Sequence, residues 1–75
     1  MNYAYEDDIT IILIQDYALP VMSKEMFIEM SKRVVNVYAL DPYITKVETI
    51  AAKMVEFLTT DFGNRAFKQI LIKFM

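Results

Sequence analysis

Gly63 is the only glycine in this chain, and Pro20 and Pro42 are its only prolines. Small sheet-rich domains turn about every 8–12 residues and use Gly, Pro and Asn to do it. A chain with so few turn residues is better suited to helices joined by short connections. No Ser- or Gly-rich linker, internal repeat or low-complexity tract interrupts its 75 residues, so it reads as one domain with one core. The expected fold class is all-α, a small bundle of about four helices with short turns, covering residues 1–75.

The clearest helical pattern lies between Pro42 and Thr60. Asp41 and Pro42 form a start signal, an acceptor side chain followed by a residue with no N–H to leave unsatisfied. Thr45 and Glu48 offer a capping box one turn later. At 100° per residue, Ile44, Val47, Ile50, Ala51, Met54, Phe57 and Leu58 share one side, opposite Lys46, Thr49, Lys53 and Glu56. Upstream, Ser23 is placed to cap a helix reaching about Leu40, with Met26, Phe27, Met30, Val34, Val37 and Tyr38 as its main apolar stripe. A second strip on the same helix, Ile28, Val35 and Ala39, widens its apolar arc beyond half the circumference. Such a helix is either central to the fold or part of an interface. Residues 61–64 read as a turn in which Gly63 takes the left-handed conformation. A last helix then runs from about Asn64, with Ala66, Phe67, Ile70, Leu71 and Phe74 inward and Ile72 outward among polar residues.

The opening segment gives conflicting signals. Glu6, Asp7 and Asp8 suit a helix N-terminus, and Pro20 would stop that helix after Leu19. Ile9, Thr10, Ile11 and Ile12 are β-branched and favour a strand. A lone strand would leave its backbone groups unpaired, so a buried helix over 6–18 is the expectation. The alternative is an α+β fold in which Ile9–Ile14 is a strand.

Composition removes most chemistry. Without Cys or His there are no disulfides, thiolate nucleophiles or ordinary zinc ligands. Ser23 and Ser31 have no base at a catalytic spacing. Glu6, Asp7 and Asp8 are consecutive and would splay around a helix, so they serve the helix dipole better than acid–base or magnesium chemistry. One glycine cannot build a phosphate loop. The expectation is therefore a non-enzyme with no cofactor, metal site or small-molecule substrate. The longest aliphatic run, Ile11–Ile14, is far below the roughly 20 residues needed to cross a bilayer, and the acidic start does not resemble a targeting segment. A cytoplasmic protein is expected.

What remains is binding. The chain is 56% hydrophobic, above the roughly 45–50% of ordinary domains, and such an excess favours self-association or a standing partner surface. Charge is also uneven. Glu6, Asp7, Asp8, Asp16, Glu25 and Glu29 face only Lys24 in the first part, whereas the second half is net positive. The acidic part could mimic nucleic acid toward a basic partner. These features favour a stoichiometric inhibitor or adaptor of a larger protein, self-associating as a homodimer, with Ile28, Val35 and Ala39 as the interface strip. The small, acidic, cysteine-free composition suits a phage- or plasmid-encoded factor. The runner-up is a helix-turn-helix regulator reading DNA through Arg65, Lys68, Gln69 and Lys73 on the last helix.

Overall fold

Ser23 turns an extended residue into a helix cap. Its backbone sits at φ −69° and ψ 164°, and its Oγ accepts from the Met26 N–H at 3.2 Å. Helix α1 follows over Lys24–Val37, then α2 over Val47–Leu58 and α3 over Asp61–Lys73. The computed structural model describes residues 16–74. Among these there are three helices rather than about four, and no strand, so the fold is all-α. The helix expected over 6–18, except for its last three residues, and the alternative strand Ile9–Ile14 lie outside the described residues.

The helices pack pairwise, each against the other two. Met30 and Val34 of α1 meet Ala51, Met54 and Phe57 of α2 and Ala66 and Ile70 of α3 in a buried cluster that also takes in Leu19, Met22, Met26 and Phe27. Among the described residues, Phe57 is the largest fully buried side chain. Its ring meets Tyr38 edge-on at 6.3 Å and tilts against Phe62 at 6.0 Å, a spacing favourable for aromatic pairs. Four methionines fill the remaining irregular space, a role suited to a flexible thioether.

Three expected boundaries move. First, α2 starts at Val47, not Pro42, with Lys46 as its N-cap at φ −70° and ψ 150° and no side-chain cap. Asp41 instead closes a separate turn: its Oδ1 accepts from the Tyr43 N–H at 2.9 Å and its carbonyl from the Thr45 N–H at 2.9 Å. The Thr45–Glu48 capping box therefore does not form around this start. Ile44, expected inward, lies in that turn at 79% exposure.

Second, α1 ends at Val37, short of Leu40. Ala39 takes φ 53°, Leu40 N–H donates to the Val35 carbonyl at 2.9 Å and Ala39 N–H to that of Asn36 at 3.4 Å. These two bonds are the paired closure of a Schellman motif. Ala39 thus belongs to the cap rather than to a stripe shared with Ile28 and Val35.

Third, Gly63 does not terminate a helix. It lies buried in the first turn of α3, and no glycine has positive φ. A Cβ there would stand 1.9 Å from the Phe57 carbonyl oxygen, so Gly63 is the point where α3 starts hard against the last turn of α2. Thr60 secures this corner by accepting from the Gly63 N–H at 3.0 Å and donating to the Phe57 carbonyl at 2.6 Å. Helix α3 therefore begins three residues before the expected Asn64. Val37, Leu71 and Phe74, also expected inward, are exposed.

Candidate functional site

Ile28 and Val35 lie seven residues apart on α1, about 10 Å along its axis and on one side of it. The helix dictates this pairing, because two full turns nearly restore the same direction. The connection after α1 brings Pro42 to the same side, and the first two turns of α2 add Val47 and Ile50. Together they line an open groove of about 770 Å³, with Phe27 and Ser31 also contributing. Ile28 is 42% and Val47 45% exposed, while Val35 and Ile50 are half-buried. Ser31 turns its hydroxyl back onto the Phe27 carbonyl at 2.7 Å, which leaves the centre of the groove with little polar demand.

Of the expected strip, Ile28 and Val35 come together here and Ala39 does not line the groove. Pro42, Val47 and Ile50 are contributors that the strip omits. Val47 and Ile50 carry the right periodicity, but a helix drawn from Pro42 assigns them to an internal face. Only the turn at 41–46 frees them for the groove.

Charge is placed along the rim. Glu29, Lys32 and Arg33 all border the groove. Glu29 is engaged from α3 by Lys73, at 3.8 Å. Lys32 and Arg33 are exposed and form no ion pair among the described residues. The rim is therefore positive on a chain of net charge −2.

The expected polar face of α3 divides. Arg65 and Gln69 share a small notch of about 220 Å³ with Arg33, Phe62 and Ala66, whereas Lys68 and Lys73 do not line it. Arg65 is held by Asp61 one turn earlier, and Lys73 by Glu29 with its ammonium 5.6 Å from the Phe74 ring centroid. Phe62, at 62% exposure, was not signalled by the sequence pattern. With Val37, Tyr38, Phe57 and Thr60 it borders a further hollow of about 300 Å³.

Among the described residues no three His, Cys, Asp or Glu side chains are grouped to hold a metal ion, and no helix is long and apolar enough to cross a membrane. No buried side-chain polar atom among them lacks a hydrogen-bond partner. No protein-family model, curated protein or solved structure matches the chain.

Proposed function

We propose that this chain is a stoichiometric protein-binding module, an inhibitor or adaptor that seats an amphipathic segment of a larger protein in the α1–α2 groove and performs no chemistry itself. The observation that carries the reading is the convergence of Ile28, Val35, Pro42, Val47 and Ile50 on one open apolar channel. Its length between Ile28 and Val35 matches two helical turns, the spacing at which helix-in-groove partners place their anchors.

Magnitudes set what the groove can do. A fully covered Ile or Val contributes about 1.5–3 kcal/mol, and these side chains are already more than half covered. The groove floor then contributes about 3 kcal/mol, and the occupant's matching surface about as much again. Micromolar affinity needs about 8 kcal/mol after the cost of association has been met. Apolar contact alone gives a weak complex, and polar contacts at the rim must supply the rest.

The reading is tested by titrating isotope-labelled protein with helical peptides carrying apolar residues at i, i+3 or i+4, and i+7. Amide shifts should centre on Ile28, Val35, Val47 and Ile50, and Ile28→Asp should abolish them. Shifts centred on α3 would refute the groove.

The DNA-reading alternative gains one observation, the meeting of Arg33, Arg65 and Gln69 at a notch beside exposed Phe62. Against it, two of the three α3 cations are engaged by carboxylates, and Asp61 stands exposed in the first turn of the would-be recognition helix.

A further inference from the structure

Resting on the groove being a protein-binding site, we infer that its occupant is an acid-flanked amphipathic helix from a different protein, with apolar anchors on Ile28, Val35 and Val47 and carboxylates on Lys32 and Arg33. The argument is charge complementarity at the rim. Of its three charged residues, Glu29 is already matched by Lys73. Lys32 and Arg33 remain exposed with no ion pair among the described residues. A basic flank would meet these two cations unpaired, whereas an acidic flank pairs both, and Arg33 can take a carboxylate bidentately.

A second copy of the chain fits less well. A two-fold contact through the Ile28–Val35 strip places antiparallel copies of α1 so that Ile28 faces Val35. The centre of that contact then falls at Ser31 and Lys32. Each Lys32 would face Ser31 of the other copy, with the second Lys32 only about 1.5 Å further along the axis, and like charges brought together in this way are costly in an interface. The overall negative charge does not decide the matter. At physiological salt, fields from distant carboxylates are screened over about 8 Å, so the local rim controls which flank is accepted.

The test is selection from a displayed library of helical peptides with fixed apolar anchors and flanks drawn equally from Glu and Lys, against the 75-residue chain. The expected result is strong enrichment of Glu at the flanks. Lys32→Glu combined with Arg33→Glu should reverse that preference, and selected acidic peptides should bind this double variant at least about tenfold more weakly than the parent. Both positions are exposed, and circular dichroism checks that the variant stays helical. Enrichment that depends on Ile28 but shows no charge preference would leave the groove standing and overturn the acidic occupant. Enrichment indifferent to Ile28→Asp would overturn both. A concentration-dependent dimer that disappears in Ile28→Asp and is not displaced by the selected peptides would make the second copy the occupant and overturn the inference.

Discussion

Ala18 and Ala39 sit at φ 56° and 53°, and each is flanked by the same neighbours, Tyr-Ala-Leu at 17–19 and again at 38–40. Both leucines turn back onto the core, Leu19 buried and Leu40 packed against its edge. The left-handed conformation costs a residue with a Cβ roughly 1–2 kcal/mol, and glycine returns part of that gain as unfolded-chain entropy, about 0.5–1 kcal/mol. Ala39→Gly should therefore stabilise the protein by about 0.5–1 kcal/mol, raising the melting temperature by about 3–6 °C for a domain of this size. Thermal circular dichroism measures it, and a lower melting temperature would count against the cap. Gly63 responds oppositely. Although alanine is the better helix former by about 1 kcal/mol, its Cβ would overlap the Phe57 carbonyl, and backbone cannot yield as a side-chain tip can. Gly63→Ala should cost at least about 2 kcal/mol, visible as a lower urea midpoint; an unchanged midpoint would mean the two helices are not so closely apposed.

Helix starts show how differently three caps can be built. Ser23 and Thr60 each supply a hydroxyl to an N–H three residues on, whereas Lys46 supplies none and places a positive charge at the positive end of α2. Lys46→Asp should add about 1–2 kcal/mol by repairing both defects, and Thr60→Ala should remove about 0.5–2 kcal/mol. Chemical denaturation of the two variants reads both effects, and a destabilised Lys46→Asp would show that α2 begins elsewhere. These caps also explain what could be read from the chain beforehand. Ser23 and the core positions Met26, Met30, Val34, Ala51, Met54, Phe57, Ala66 and Ile70 follow from spacing alone. Asp41 misleads, because one side-chain bond to the amide two residues on serves a helix cap and an Asx turn equally. Only the extended ψ of Lys46 separates them, and no residue near it announces that value. Ile44 misleads along with Asp41, because it lies in that turn rather than on α2, whereas Val37, Leu71 and Phe74 mislead for a different reason. Periodicity assigns every apolar residue on a stripe to the interior, while a short chain has too little interior to receive them. The groove was thus half legible: Ile28 and Val35 stand out on α1, and their partners depend on the turn that separates Pro42 from Val47.

Charge pairing across the three helices bears on the choice between a protein partner and DNA. The cations of α3 look like a phosphate-binding face when counted along the sequence, yet Asp61 holds Arg65 and Glu29 holds Lys73. Lys68 is left on that helix, with Lys32 and Arg33 beside the groove and Lys46 at the start of α2. If these four alone reached phosphates, affinity would vary with salt at a log–log slope of about −3.6, shallow beside the slopes of proteins making about 6–10 contacts. The linker between α2 and α3 is also only Thr59 and Thr60, shorter than the three- or four-residue turn of a helix-turn-helix. Mixed-sequence duplex DNA should therefore bind more weakly than about 10⁻⁴ M at physiological salt, the weak edge of ordinary non-specific binding. Fluorescence anisotropy of a labelled duplex between 50 and 200 mM salt makes the measurement. A slope of −6 or steeper, lost in Lys68→Ala, would mean that the α3 ion pairs open on contact with phosphate and that the last helix, rather than the groove, carries the function.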